Sequence, residues 1–343
     1  MSFTKFDPSD YVISADSMTA PAWSSNIPTL ATFFTASTGV SSSFYLDVYN
    51  TAVADINSAV QFSIAYGHIS GSGSAPLNSL IPQYTPTRIN FGQFRNLVYG
   101  DAEAPFNFGQ ATTNATDIVA ITIDRNRYKE SLFAGTFNLQ MSFGGSTINL
   151  TDNSKDVTTI TYLDCGRVFS IISGSNGTVG NTASPAGINI PGVTASGSYG
   201  LFLPDIGTII LNPAVLRLSA ASGGLAMTFN NGTAFSQNLS NAQTIYRSIS
   251  SSAKFQLNSE ETISSNYIFV RVKNSEYNYT TNPSIITGSG EFIYSNFINS
   301  PQTYITTVGM YNTNNDLLAV AKLSKPLVKD FTKEALIRVK LDW

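Results

Sequence analysis

The sequence predicts a mainly β protein, with β-sandwich or barrel-like domains and a few short α-helices. Charged residues make up 12% of the 343 positions, about half of the roughly 25% found in average soluble domains. The chain instead holds 22 Phe and 16 Tyr among many Ser, Thr, Asn and Gly residues. Long solvated helices depend on Glu, Lys and Arg, whereas aromatic residues separated by turn formers favour strands. Apolar residues amount to 42%, which is enough for a folded core.

Alternating apolar and polar residues predict strands along most of the chain. In order, these strands fall within residues 41–50, 59–70, 116–128, 135–143, 146–152, 156–174, 200–213, 266–281, 290–297, 303–312, 317–324 and 334–343. Helical spacing of apolar residues predicts short helices within residues 86–100, 213–222 and 241–255. No sequence repeat of fixed period is present, which disfavours propeller and solenoid folds.

Two turns are predicted to join strands in hairpins. Gly144 and Gly145 follow one strand and precede the next, and adjacent glycines adopt the positive φ angles of a tight hairpin. The segment NTNND, residues 312–316, is rich in Asn and Asp, which tolerate left-handed backbone and cap their own turns.

The predicted elements divide the chain into three segments. Residues 1–110 form an N-terminal mixed α/β segment, and residues 111–259 form a β-rich middle domain. Residues 260–343 form a C-terminal β domain with a basic tail. The middle domain includes a long Gly/Ser/Asn loop at 173–200, and loops of this length are usually exposed or functional. The sequence leaves open whether this loop is a contact arm or a disordered segment.

The charge balance does not favour nucleic acid or membranes as partners. The net charge is −3, whereas phosphate binding needs Lys and Arg clustered over a face.

No run approaches about 18 consecutive apolar residues, and no basic start precedes an apolar run at the N-terminus. Cys165 is the single cysteine, so an intrachain disulfide is excluded. We therefore expect a protein folded in a cytoplasm, with surfaces of low charge suited to contact with other proteins.

Histidine and cysteine give no catalytic or metal-binding pattern. His68 is the one histidine, and without a G-x-S-x-G elbow a structural role is favoured over a catalytic base. Cys165 lies inside a strand pattern, where a small buried hydrophobe is favoured over a nucleophile. One His and one Cys cannot supply a common zinc site, and the Gly-rich stretches lack both nucleotide-binding spacings.

Acidic residues give no clearer signal. Segments 152–156 and 312–316 lack the glycine and distal glutamate of a calcium loop, so hairpin turns are favoured for both. Paired carboxylates for glycoside hydrolysis can come from remote positions, and candidates such as Asp101 and Glu103 have no motif behind them. We therefore predict no catalytic, cofactor-binding or metal-binding residues, no cofactor, and a protein that is not an enzyme.

Basic residues concentrate near the C-terminus. They are Lys322, Lys325, Lys329, Lys333, Arg338 and Lys340. A solvated strand face with a linker is the favoured interpretation. The alternative is electrostatic docking to an acidic neighbouring subunit, which would steer association and set its register.

Several stretches resemble virion proteins of tailed bacteriophages. The segment YITTVGMYNTNNDLLAVAKLSKPL, residues 304–327, is similar to a pattern in tail-fibre and baseplate-associated proteins. There, a strand like ITxVGLY leads through a polar turn into xLLAVAxL and then a proline. Further stretches look like uncharacterised virion structural proteins of T4-like and marine myoviruses, including cyanophages. They are FSIAYGHISGSGS, GQFRNLVYGD, DRNRYKESLFAGTFNLQMSF, GLFLPDIGTIILNP and IFVRVKNSEYNYTTNPS.

The resemblance implies a non-enzymatic structural component of the virion, in the baseplate or tail, with a fibre-attachment or wedge-type role. Its partners would be other virion subunits in a multi-copy symmetric assembly, and it would be assembled into the virion in the bacterial host cytoplasm. A neck, connector or capsid-decorating protein is the alternative within this class. A receptor- or carbohydrate-binding fibre protein is the alternative from another class, and a wall hydrolase is a third. No functional residue is carried over, because no site of the family is known to us.

Overall fold

The computed structural model describes residues 4–35, 45–70, 86–101, 103–110, 114–180, 194, 196–230, 236–280 and 282–342. Its strands are β1 Tyr11–Pro21, β2 Thr29–Leu30, β3 Phe34–Thr35, β4 Leu46–Tyr49, β5 Val60–His68, β6 Asp117–Ile123, β7 Ser131–Leu132, β8 Asn138–Phe143, β9 Ser146–Asp152, β10 Thr161–Leu163, β11 Gly166–Ser175, β12 Thr178–Val179, β13 Gly200–Leu203, β14 Thr208–Leu211, β15 Phe255–Gln256, β16 Asn258–Val272, β17 Thr303–Tyr311, β18 Leu317–Lys329 and β19 Ala335–Asp342. The α-helices are α1 Pro86–Tyr99, α2 Pro213–Leu216, α3 Ser236–Ser252 and α4 Ser295–Asn299. The expected mainly β fold with a few helices is confirmed.

The chain forms two compact units. The terminal unit contains Met1–Ser17 and Thr262–Trp343, and the central unit contains Met18–Glu261. The division falls inside strands β1 and β16. The sequence-based boundary between residues 259 and 260 lies close to this division, whereas residues 18–110 and 111–259 share the central unit.

The central unit is built on one large antiparallel sheet. Its strand order is β2-β15-β8-β9-β11-β13-β14-β6-β5-β4-β3, and β10 and β12 pair with β11 beside this path. Strands that follow each other in the chain are mostly neighbours, as β8 with β9 and β5 with β6. Two exceptions are β14, which pairs with β6, and β15, which returns from the end of the unit to lie between β2 and β8.

This sheet curls until strands near its two ends meet. β15 and β5 stand seven positions apart in the strand order, which in a flat sheet would separate them by about 34 Å. The rings of Phe255 on β15 and Phe62 on β5 nevertheless have centroids 5.2 Å apart. Trp23 completes the contact, because its ring lies 4.9 Å from that of Phe255 and its Nε1 donates to Phe255 O at 2.8 Å. We call these three residues the closure cluster.

Two helices pack against the curled sheet in separate cores. α3 contributes Ala242, Ile245 and Ile249, spaced along one helical face, to the core that contains the closure cluster. α1 contributes Phe91 and Val98 to a second core. The helices expected within 86–100 and 241–255 are confirmed, and α3 begins five residues earlier than expected.

Helix α1 approaches β5 closely at a glycine. A Cβ atom on Gly67 would lie 2.8 Å from the backbone N of Phe91, too close for any side chain. Asn90 fixes the same contact, because its Nδ2 donates to Tyr66 O at 3.1 Å.

The middle strands of the sheet are apolar on both faces. On β6, Val119 and Ile121 belong to the core around the closure cluster, whereas Ile118 belongs to the core under α1. On β14, Ile209 and Ile210 divide between the two cores in the same way. Burial on both faces explains why these strands are continuous apolar runs in the sequence.

The hairpin turns expected at residues 144–145 and 312–316 are confirmed. The hairpin turn favoured at 152–156 is wrong, because β9 before it pairs with β8 and β11, whereas β10 after it pairs with β11. Gly144 and Gly145 have φ angles of 56° and 83°, as a tight hairpin turn requires. In the turn between β17 and β18, Asn312 Oδ1 accepts from the backbone N of Asn314 at 2.9 Å and of Asp316 at 2.8 Å.

The strand expected within 290–297 is wrong. One isolated bridge joins Ile286 to Phe292, and the chain then enters α4. The rings of Phe292 and Phe297 pack against each other with centroids 4.9 Å apart, which draws both side chains to one side instead of letting them alternate.

The helix expected within 213–222 is limited to the single turn α2, followed by a 3₁₀ turn at Ala220–Ser222.

The expected loop at 173–200 is described only in part. Its first residues complete β11 and form β12, so the loop begins later than the sequence indicated. Residues 181–193 and 195, and therefore the question of a contact arm, lie outside the described residues.

The terminal unit has a small core. It contains a sheet in the order β1-β16-β19 and a separate two-stranded hairpin of β17 and β18. Met310 of the hairpin packs with Ile337 and Val339 of β19. Among the described residues of this unit, the buried apolar side chains are Val272, Met310, Ala335, Ile337 and Val339.

We expect Phe255→Ala to lower the free energy of unfolding by about 3–5 kcal/mol, because it empties the centre of the closure cluster. Phe331→Ala is the matched control, since Phe331 is 56% exposed and its loss should change stability by less than about 0.5 kcal/mol. Equilibrium urea unfolding of the full chain measures both. Equal effects of the two substitutions would show that the closure cluster is not central to stability.

Candidate interaction surface

Strand β1 exposes its side chains along its whole length. It forms one edge of the β1-β16-β19 sheet, and none of its eleven residues is buried. Tyr11, Val12 and Ile13 are 49%, 51% and 66% exposed. A long edge strand with exposed apolar side chains is a template for pairing with another chain. We therefore treat β1 as a candidate interaction surface.

The sequence predicts no strand within residues 11–21. The residues Tyr11, Val12 and Ile13 are a β-favouring run that could have indicated one. The polar residues that follow, including Ser14 and Asp16, do not continue a simple alternation, because neither face of β1 is buried.

The hairpin of β17 and β18 adds further exposed apolar side chains. Leu318 and Val320 are 68% and 56% exposed, whereas Ala319 and Ala321 between and beside them pack toward the core. The ring of Tyr311 lies against Gly309, where a Cβ atom would be 3.1 Å from Tyr311 Cε2. An aromatic ring over a strand glycine restores the packing that the glycine lacks.

The basic residues near the C-terminus do not form a linker. β18 extends to Lys329 and β19 begins at Ala335, so most of the segment is strand. Lys322 and Lys325 are exposed on β18. Lys333 Nζ lies 3.5 Å from Asp330 Oδ2, so this cation already has an acidic neighbour.

The two basic residues of β19 also have partners within the chain. Lys340 Nζ lies 3.0 Å from Asp342 Oδ1. The Arg338 guanidinium stands over the Tyr267 ring, 5.6 Å from its centroid. Electrostatic docking through this segment therefore depends chiefly on the two exposed lysines of β18.

Lys329 is fully buried and cannot take part in docking. Its Nζ donates to Asn274 O and Asn278 Oδ1, both at 2.9 Å, and to Asp330 O at 3.2 Å. Three oxygen acceptors satisfy the three N–H donors of an ammonium group. Lys329 therefore ties the end of β18 to the segment that follows β16.

One polar network of the central unit joins three residues that are remote in the chain. Asp117 accepts from Tyr66 OH at 2.9 Å and from Arg217 Nη1 and Nη2 at 3.1 Å and 2.5 Å. Burial, reinforced by the Asp117 carboxylate, raises the pKa of the Tyr66 hydroxyl. The Arg217 guanidinium also lies 5.2 Å from the Phe229 ring centroid. Both oxygens of the Asp117 carboxylate accept hydrogen bonds. The network therefore stabilises the sheet and holds no proton ready for transfer.

His68 lies beside this network at the end of β5. It stands opposite Asp117 in the strand register, and its Nδ1 accepts from the backbone N of Ser70 at 3.0 Å. Burial lowers the pKa of the imidazole, outweighing the nearby Asp117 carboxylate, and the Arg217 cation lowers it further. These contacts stabilise a neutral imidazole that accepts a hydrogen bond from the backbone.

Cys165 is buried in the turn between β10 and β11. Its side chain belongs to the core under α1, and burial raises the pKa of the thiol to about 11. A thiol with a raised pKa is a poor nucleophile near neutral pH. The position fits the expected small buried hydrophobe.

The acidic candidates are engaged in local structure. Asp101 Oδ1 accepts a hydrogen bond from the backbone N of Glu103 at 2.8 Å. Glu103 Oε2 lies 3.9 Å from Arg95 Nη2. In segment 152–156, Asp152 accepts from the backbone N of Gly135 at 2.9 Å, and burial raises the pKa of its carboxyl group. Within the described parts of the chain, no three His, Cys, Asp or Glu side chains converge on a point.

We expect Lys329→Met to speed amide hydrogen exchange in residues 274–279, because it removes the two hydrogen bonds that hold this segment to β18. Hydrogen bonds to a charged group are each worth about 1.5–3 kcal/mol. Lys325→Met is the matched control on the same strand. Hydrogen–deuterium exchange with mass spectrometry compares the two variants with the wild type. Unchanged exchange in Lys329→Met would contradict this role.

We expect the His68 imidazole to titrate below its ordinary pKa of 6.5. The unfolded chain then binds this proton more tightly than the folded chain. The contribution of His68 to the unfolding free energy is therefore complete above about pH 6.5 and is lost as the pH falls below that value. NMR titration measures this pKa without assignment, since the chain has one histidine. In His68→Gln, the decline of unfolding free energy just below pH 6.5 should shrink, and an unchanged decline would contradict the assignment.

No helix in the described ranges combines the length and apolar character needed to cross a bilayer. Comparison of the chain with models of known protein families, with curated protein sequences and with solved structures finds no match.

Proposed function

We propose that this protein is a non-enzymatic structural subunit of a tailed-bacteriophage virion, built into the baseplate or tail. The observation that carries the proposal is strand β1, an edge strand of eleven residues without a buried side chain. A strand that buries nothing in its own chain contributes little to folding. Its apolar side chains gain their stabilisation when another subunit covers them, at roughly 25 cal/mol per Å² of apolar surface.

The surface chemistry supports assembly rather than catalysis. Interface cores are depleted of charge and enriched in aromatic residues, and the chain has 12% charged and 12% aromatic residues. In a symmetric particle each weak contact is repeated, and linked contacts hold together ~10²–10⁴ times more tightly than one alone. The exposed apolar side chains of β1 and of the β17–β18 hairpin suit such repetition.

The proposal that the protein belongs to a virion rests on the resemblance to phage proteins. Its strongest segment, residues 304–327, coincides with the β17–β18 hairpin. A neck, connector or capsid-decorating position would use the same surfaces and differ only in location. Mass spectrometry of purified particles tests membership of the virion, and cryo-electron microscopy of the same particles tests the location. Absence of the protein from purified particles would overturn the proposal.

We expect Ile13→Lys to prevent incorporation into particles while leaving the chain folded, because a charge on β1 opposes burial of that strand at an interface. Ile56→Lys is the matched control, since Ile56 is 97% exposed in the turn before β5. Particles grown with each variant are purified and the protein quantified, and thermal unfolding checks the fold. Equal incorporation of the two variants would remove β1 from the proposed interface.

A further inference from the structure

An open cleft runs along one edge of β17 in the terminal unit. Its volume is about 1550 Å³, larger than the roughly 300–1,000 Å³ of typical small-molecule pockets. All nine residues from Thr303 to Tyr311 line it. Successive side chains of a strand point to opposite faces, so a cleft lined by every residue lies beside the strand. Residues Phe269–Val272 at the end of β16 contribute to its wall.

The edge of β17 that borders the cleft is open to a further strand. β17 pairs with β18 along its other side, and no third strand in the described part of the chain joins this two-stranded sheet. The pairing with β18 is irregular between Ile305 and Thr307, so Thr306 has no partner residue in that register. An isolated two-stranded sheet is only marginally stable and gains from a third strand.

The wall of the cleft is apolar and continuous with the core. Met310 and Ile337 line it, and the same residues form the centre of the small core of the terminal unit. Phe292 and Phe297 contribute aromatic rings, and Phe331 adds another. A segment placed in the cleft would therefore pack against the side chains of this core.

The cleft carries little charge. Lys5, Asp10 and Arg271 are its charged lining residues, and Arg271 Nε lies 3.6 Å from Asp10 Oδ1. The remaining polar groups are mainly Thr hydroxyls and Asn amides. An occupant that matches this lining is uncharged, with apolar groups toward the core and small polar groups toward solvent.

We propose that the cleft receives an extended strand donated by a neighbouring subunit of a different protein, which pairs with the open edge of β17. A donated strand that matches β17 has about nine residues, spans roughly 30 Å and alternates apolar with small polar side chains. Main-chain hydrogen bonds would supply affinity, and the apolar wall would select alternate side chains. The identity of the donor as a virion subunit rests on the proposed function, whereas the strand-accepting chemistry does not.

The test uses the full chain and a displayed library of random dodecapeptides. We expect enrichment of uncharged peptides that alternate apolar and polar residues, with synthetic copies that bind the wild type. Thr306→Pro removes one backbone N–H from β17, and we expect it to weaken peptide binding about tenfold or more. Thr306→Ala, which keeps that N–H, and Ile56→Lys, outside the cleft, should both bind as the wild type does. Phe331→Lys, which adds a charge to the cleft wall, should weaken binding as well.

Thermal unfolding checks that each variant is folded. If Thr306→Pro does not fold, Phe331→Lys still tests the proposal. The proposal is overturned if no alternating peptides are enriched, if both cleft variants bind as tightly as the wild type, or if this chain forms an oligomer that Thr306→Pro dissolves. Neutral hexasaccharides, namely cellohexaose, maltohexaose and chitohexaose, are tested in parallel. Saccharide binding at the cleft in place of peptides would also overturn it. Peptide binding by a protein absent from phage particles would leave the cleft proposal intact and remove only the proposed function.

Discussion

The contact between Trp23, Phe62 and Phe255 is the constraint on which the central unit depends. A sheet of this many strands is stable only if its apolar faces are covered, and here the curl and the packing of α3 together cover one of them. The closure cluster fixes that curl, since its rings come from strands far apart in the sheet. The hydrogen bond from the Trp23 indole to Phe255 O leaves no buried donor unsatisfied at this junction.

The two units differ in how completely they bury their apolar residues. In the central unit many core side chains are fully buried, including Phe62, Ile121 and Phe255. In the terminal unit the most buried apolar side chains, Met310 and Val339, are each 6% exposed. Its strands instead present apolar residues to the surface, on β1 and on the β17–β18 hairpin. This imbalance is the physical basis for the proposal that other subunits complete the terminal unit.

Local patterns in the sequence were sufficient to predict most individual strands, two of the three hairpin turns and two longer helices. They could not predict how the strands are ordered, because that order depends on partners remote in the chain. Trp23 and Phe255 are 232 positions apart, and Asp117 and Arg217 are 100 positions apart. β1 escaped prediction for a different reason: alternation marks a strand with one buried face, and β1 has none. Alternation predicted both strands of the β17–β18 hairpin, but it could not predict which of their apolar side chains are exposed.

The composition of the terminal unit from both ends of the chain affects the order of events during synthesis. A nascent chain emerges N-terminus first, so β1 leaves the ribosome long before its partner β16, which begins at Asn258. The central unit can close once Phe255 has emerged, whereas β19 follows only at Ala335. The terminal unit therefore completes its sheet after the central unit is already able to fold. A chain that is still being synthesised lacks the finished hairpin and cleft, so under the proposed function it could not yet offer these surfaces to another subunit.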